Sequence, residues 1–177
     1  MNEKVDIKTI HKFLNRIWDI AQKLLSLLKN NGIEVSNIHT SFNNYILIDQ
    51  EYEKQKYPLP CIFLRRGGEI LIQLDGIYVT VAVYKSSINI EFLNDLIKEI
   101  DVHMEIFGGR HFLKTFYDDR RKAETVDRIL HAIEASDEAV IQVSISVPMD
   151  SWRDIVGSYI KLEKILQQHQ VNRVAFM

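Results

Sequence analysis

The residues whose types could bind an anion lie in one connector, residues 108–122. Two glycines open it beside an arginine and a histidine, and an Arg-Arg-Lys run closes it. Flexible glycines beside arginines can surround a phosphate, especially near a helix amino terminus. A phosphate-binding loop needs a preceding strand and a longer glycine pattern, however, and basic residues in a first turn oppose the helix dipole. The segment predicts either a solvated connector or an anion site formed by Arg110, His111, Arg120 and Arg121.

Two pairs of a carboxylate and a histidine have the spacing of metal ligands on a helix. Asp127 is four residues before His131, and Glu99 is four residues before His103. Each pair shares a face if its segment is helical, but two ligands on one exposed helix do not close a metal site. The sequence also lacks the HExxH and CxxC motifs. We therefore predict no metal site and no cofactor.

Nucleophilic catalysis has little support in the sequence. The chain has one cysteine, Cys61, which excludes an internal disulfide. Its place in a predicted strand points it into the core, and no flanking charge is available to lower the pKa of its thiol. No Gly-x-Ser-x-Gly motif supplies a serine nucleophile. We assign no catalytic residue, and whether the chain is an enzyme stays open.

Apolar surfaces are the remaining candidates for function. The helix predicted at residues 6–30 has an apolar stripe too wide for one neighbour, so it either lies centrally among other elements or docks a second chain. One face of the predicted sheet mixes aromatic, aliphatic and polar residues, which suits peptide binding or a covering segment of this chain. The candidate contact residues on these two surfaces are Trp18, Leu25, Tyr78 and Tyr84.

Composition limits the class of protein. With 177 residues, of which 46% are hydrophobic and 26% charged, the chain is long enough for a single globular domain, residues 1–177. A net charge of -2 gives no long-range attraction to nucleic acid or to an anionic membrane. No apolar run approaches the roughly 20 residues of a membrane helix, and no signal-peptide pattern opens the chain. We expect a cytoplasmic protein without a nucleic-acid or membrane partner.

The elements that must position these residues form an α+β fold. Apolar residues three and four apart indicate four helices. We expect them at residues 6–30, 89–107, 119–135 and from Ser151 onward. Branched apolar residues indicate an antiparallel meander, with two-residue turns at Gly67-Gly68 and Asp75-Gly76. We expect its strands at residues 61–66, 69–74 and 77–85, further strands at 45–49 and 138–147, and an irregular loop at 50–60.

The turns also predict which side chains share a sheet face. Two-residue turns would place one set of meander residues in the core, because successive strand residues alternate between faces. That set is Cys61, Phe63, Ile70, Ile72, Leu74, Ile77, Val79, Val81 and Val83. In total we predict about four to five strands, with four helices packed mainly on one sheet face.

Two functions from different classes fit these observations. We expect a non-catalytic protein-interaction or self-associating module, whose partner is another protein or a second copy of the chain. The alternative is a small protein or enzyme that binds an anionic ligand or RNA through residues 108–122.

Overall fold

The computed structural model describes residues 6–50, 53–108, 114–119 and 125–174. Its helices are α1 (Ile7–Asn30), α2 (Ile90–Glu99), α3 (Val126–Glu134) and α4 (Asp154–Gln168). Its strands are β1 (Val35–Gln50), β2 (Glu53–Leu64), β3 (Glu69–Ile72), β4 (Gly76–Tyr84), β5 (His103–Gly108), β6 (Lys114–Asp118) and β7 (Val140–Pro148). None of the described helices is long and apolar enough to cross a membrane.

One antiparallel sheet contains all of these strands, in the order β1-β2-β3-β4-β7-β5-β6. The predicted α+β class and antiparallel sheet are confirmed. The predicted number of four to five strands is wrong, because the described residues form seven. The two additional strands, β5 and β6, lie where the sequence suggested a helix and a connector, and β2 extends into the predicted loop.

The pairing of β4 with β7 forms the centre of the sheet. Nine consecutive residues of each strand pair, from Gly76 opposite Pro148 to Tyr84 opposite Val140. Both strands present branched apolar residues to one face, where Val79, Val81 and Ile145 are fully buried. The four described helices contribute buried residues to the same apolar cluster. This face of the sheet is therefore the core face, and we call the opposite one the second face.

The wide apolar stripe of α1 packs against the chain's own sheet. Asp6 begins the helix by accepting a hydrogen bond from the Lys8 N–H (3.2 Å), and Gly32 ends it with a φ of +73°. The buried side chains face β1 and β2. They are Ile10, Ile17, Ile20, Ala21, Leu24, Leu25 and Leu28. The width of the stripe thus reflects cover from within this chain.

β2 passes through the two prolines that predicted an irregular loop at residues 50–60. β3 pairs with residues 61–63 of β2, so the first half of β2 has β1 on one side and no described strand on the other. Prolines are tolerated in such a half-paired strand, because only one side of its backbone takes part in a ladder. Pro58 and Pro60 therefore lie opposite Tyr45 and Thr40 in the antiparallel pairing with β1, whose register shifts between these two pairs.

The segment predicted as one helix at residues 89–107 divides into α2 and β5. Residues 93, 97, 100, 104 and 107 fit a helical stripe, but Val102, Met104 and Ile106 also alternate with polar residues, as a strand requires. Pairing with β7 favours the strand and buries Met104 and Ile106. Likewise, α3 covers only part of the predicted helix at residues 119–135, since it begins at Val126 with the extended residue Thr125 as its N-cap.

One hairpin turn differs from the prediction and reverses the facing of β2. Ile62 lies opposite Ile70, and the Leu64 N–H donates to the Gly68 carbonyl, so the loop has three residues instead of two. A shift by an odd number of residues moves a whole strand to the other face. Ile62 and Leu64 therefore face the core, whereas Cys61 and Phe63 belong to the second face.

The following turn keeps the predicted facing of β3 and β4. Ile72 lies opposite Ile77, so the turn is centred on Leu74 and Asp75. Leu74, predicted in the core, is 47% exposed because it occupies the turn itself.

A buried ion pair ties the end of the described chain to α4. The Arg173 guanidinium donates to both carboxylate oxygens of Glu163 at 2.6 Å, and Tyr159 also donates to Glu163. Arg173 bridges to Val83 of β4, and its guanidinium reaches the Arg66 carbonyl at 3.2 Å. Burial acts to raise the pKa of Glu163, but the hydrogen bonds from Arg173 and Tyr159 and the charge of Arg173 hold that pKa below its usual value.

Removing this ion pair should cost more stability than removing an exposed one. We expect Arg173→Ala to lower the free energy of unfolding by about 3 kcal/mol, because it leaves the largely buried Glu163 charge with only the more distant Arg66 guanidinium, at 4.0 Å. Lys23→Ala, which removes an exposed pair with Asp19, should change it by less than about 0.5 kcal/mol. Urea unfolding at neutral pH measures both changes. Equal effects would show that the buried pair contributes no more than a surface pair.

Glu163 also predicts a pH dependence. A carboxylate whose pKa is lower in the folded state stabilises the fold above its unfolded pKa, about 4.3, and loses that contribution as the pH falls through the folded pKa. The stability advantage of the parent protein over Glu163→Gln should therefore be full at neutral pH and shrink on acidification below about pH 4. Urea unfolding of both proteins over an acid pH series checks this. An advantage that grows on acidification would contradict it.

Candidate functional site

The outer edge of β1 is the longest free strand edge among the described residues. β1 has 16 residues and pairs with β2 on one side only. From Val35 to Ile48 it contains no Asp, Glu, Lys, Arg or Pro, the residues with which proteins usually prevent edge-to-edge pairing. Its pairing with β2 shifts register before Ile38 and before Tyr45 and is then regular for six residue pairs, from Tyr45 to Gln50. β1 thus offers a row of backbone donors and acceptors with little protection.

Beyond the end of β3, the paired parts of β1 and β2 continue as a two-stranded ribbon. We call residues 45–50 and 53–58 the arm. Its inner face packs on α1, because Ile46 contacts the core cluster and the Tyr57 ring meets His11 edge-on at 6.5 Å. Its outer face exposes Tyr45 (37%) and Leu47 (49%). The arm therefore places exposed apolar side chains beside the free backbone edge.

Asn44 fixes the arm to the sheet. This side chain is 1% exposed, and its Nδ2 donates to the carbonyls of Pro60 (2.9 Å) and Ile72 (3.4 Å). The two carbonyls belong to β2 and β3, at the point where the arm leaves the sheet. The Asn44 Oδ1 is buried without a hydrogen-bond partner in the described part of the chain. One buried amide thus joins the base of the arm to both β2 and β3.

The centre of the second face is polar but buried. A row of directly opposed residues crosses five strands, namely Glu69, Thr80, Ser144, Glu105 and Asp118. The Thr80 hydroxyl donates to Ser144 at 3.2 Å, and these two side chains are only 4% and 7% exposed. The middle of the second face, as far as it is described, therefore offers no broad exposed surface for a ligand or a partner.

Cys61 lies on the second face and is fully buried beside Glu69, with its Sγ 3.8 Å from the Glu69 Oε2. Burial, the negative charge of Glu69 and this hydrogen bond raise the pKa of the thiol to about 12. Burial also raises the pKa of Glu69. The thiol stays protonated at neutral pH, so it is not an activated nucleophile.

The structure separates the four predicted contact residues. Leu25 is buried under the sheet, and Trp18 is half-buried on α1. Tyr78 is half-buried, and its hydroxyl donates to the Asp75 carboxylate at 2.7 Å, whereas Tyr84 is exposed at the end of β4. These residues do not form one surface, and their role in binding stays a prediction.

The predicted anion ligands, Arg110, His111, Arg120 and Arg121, lie outside the described residues. The anion site therefore stays a prediction. Sequence reasoning also missed Tyr45 and Leu47, although the uncharged run from Val35 to Ile48 was a visible signal for an unprotected strand.

Comparisons with known proteins give a family but no activity. Residues 10–157 match a family model described as "Protein of unknown function (DUF3201)". A conserved hypothetical protein from Pyrococcus furiosus has a similar structure, with a TM-score of 0.76 and 28% sequence identity. That similarity covers 93% of this chain and 99% of the other. None of the curated proteins matches the sequence.

Substitution of Asn44 should loosen the arm. We expect Asn44→Ala to lower the free energy of unfolding by about 1–3 kcal/mol, because two buried carbonyls lose their donor. Amide hydrogen exchange should speed up most in residues 45–50 and 53–58. Asn43→Ala, a change at the exposed neighbouring residue, serves as the matched control. Unchanged exchange in the arm of Asn44→Ala would show that other contacts fix its position.

Proposed function

This chain belongs to the DUF3201 family, whose description names no activity, and on that premise we propose that it is a non-catalytic interaction module that self-associates through β1. The observation that carries the proposal is the free, uncharged edge of β1 with Tyr45 and Leu47 exposed beside it. Strand addition at such an edge supplies main-chain hydrogen bonds, and neighbouring side chains supply specificity. We place the contact between copies in the arm and not at the predicted contact residue Leu25, because Leu25 is buried.

A second copy of the chain fits this edge for two reasons. An antiparallel pair of identical strands obeys two-fold symmetry, so one edge can serve as both halves of the contact. Self-pairing of a strand with charges of one sign brings those like charges close together, which is destabilising. β1 avoids that cost from Val35 to Ile48, because the segment has no charged residue.

The arm supplies the apolar contact that backbone pairing alone lacks. Tyrosine is enriched among the residues that dominate interface energies, and a buried leucine contributes about 1.5–3 kcal/mol. The Lys56 Nζ lies over the Tyr45 ring, 4.5 Å from its centroid, in a cation–π contact. Each side chain counts twice in a two-fold interface.

A charge placed on the outer face of the arm tests the proposal. We expect the parent protein to sediment as a concentration-dependent dimer and Leu47→Lys to raise the dissociation constant at least about tenfold. Leu74→Lys is a closely matched control, because Leu74 is 47% exposed and Leu47 is 49% exposed, but Leu74 lies in the turn between β3 and β4. Sedimentation velocity over a dilution series measures all three proteins.

Two results would overturn the proposal. One is a parent protein that stays monomeric at about 100 µM, a concentration at which even a weak specific dimer is populated. The other is a dimer that Leu47→Lys and Leu74→Lys weaken equally. Circular dichroism at the same temperature shows whether each variant is folded.

A further inference from the structure

A histidine and two aspartates meet where β5 begins and β6 ends, far along the sheet from the arm. Glu105 of β5 lies opposite Asp118 of β6, and Asp119 follows directly. Asp119 is held to β5 by two hydrogen bonds, from its N–H to the Met104 carbonyl (3.3 Å) and from the Met104 N–H to its Oδ2 (3.0 Å). One ligand-type atom each of His103, Asp118 and Asp119 lies within 4.8 Å of the other two.

The surroundings of His103 resemble those of a metal-bound imidazole. Its Nδ1 contacts the Asp119 Oδ1, and its Nε2 lies 3.4 Å from the Glu105 Oε1. A metal-binding histidine commonly uses one ring nitrogen for the ion and donates the other N–H to a carboxylate. Ligating carboxylates are in turn commonly hydrogen-bonded, as the Asp119 Oδ2 is to the Met104 N–H. Both groups therefore have orienting partners of the kind that metal ligands use.

We propose that the His103 Nδ1 and the carboxylates of Asp118 and Asp119 bind one divalent transition-metal ion, with Glu105 orienting the imidazole. One nitrogen and two oxygen donors suit the Mn²⁺ to Zn²⁺ series, whereas Mg²⁺ and Ca²⁺ favour oxygen-only ligand sets. Three protein ligands leave coordination positions for water. The side chains of His103 and Asp119 are 29% and 27% exposed, so an ion can enter from solvent.

Titration of the EDTA-treated protein with MnCl₂ or ZnCl₂ tests the site. We expect calorimetry to give one ion per chain and the electron paramagnetic resonance of free Mn²⁺ to decrease in proportion to the protein. His103→Gln and Asp119→Asn should each weaken binding at least about tenfold, and Glu105→Gln by about 10–100-fold. The control is the double variant Asp127→Asn, His131→Gln. It removes the exposed pair on α3, for which the described residues supply no third ligand, and it should bind like the parent protein.

Three results would overturn the proposal. The first is the lack of stoichiometric Mn²⁺ or Zn²⁺ binding to the parent protein at about 1 mM metal ion, which would identify the group as an imidazole and carboxylate cluster only. The second is a His103→Gln protein that binds as tightly as the parent. The third is loss of binding in the α3 control. If circular dichroism shows that His103→Gln is unfolded, Asp118→Asn replaces it, with the same expected loss of at least about tenfold.

Discussion

The pairing of β4 with β7 is the interaction on which the rest of this structure depends. It joins residues that are 56 to 72 positions apart in sequence, from Tyr84 with Val140 to Gly76 with Pro148, over nine consecutive pairs. Because side chains alternate along a strand, this register decides at once which residues of both strands face the core. The neighbours β3 and β5 then continue the sheet on either side, and the helices cover the face that this pairing makes apolar.

The same arrangement gives the two ends of the sheet different chemistry. At one end, β1 has a free edge without charged residues, and the arm adds exposed apolar side chains. At the other end, the beginning of β5 and the end of β6 bring together an imidazole and three carboxylates. The sheet order separates these regions by several strands, so self-association through β1 would leave the proposed metal site accessible.

Buried polar groups join the parts of the fold that hydrophobic packing leaves loosely connected. Asn44 holds the base of the arm, and Arg173 with Glu163 holds the last described residues against α4 and β4. Burying a polar or charged group is costly unless it is paired, so each of these contacts specifies one arrangement over its alternatives.

Local sequence patterns determined the features that depend on neighbours along the chain. The helical stripe was enough to predict α1, and residue types were enough to predict β3, β4 and β7 and the α+β class. Most of the candidate surface was not predictable in this way. The strand predicted at residues 45–49 indicated neither its partner nor its place at the edge, and residues 35–44 of β1 were not predicted as a strand.

Only the tertiary structure decided the facing of β2, the identity of residues 100–108 and the meeting of His103 with Asp119. Each of these depends on how strands pair. The three-residue loop between β2 and β3 reverses the facing of β2, and pairing with β7 makes residues 103–108 a strand instead of a helix. Residues 102–106 satisfy both periodicities, so their own sequence cannot choose between them. Periodicity is a property of consecutive residues, whereas register is set by hydrogen bonds and packing between strands, and the candidate sites depend on register.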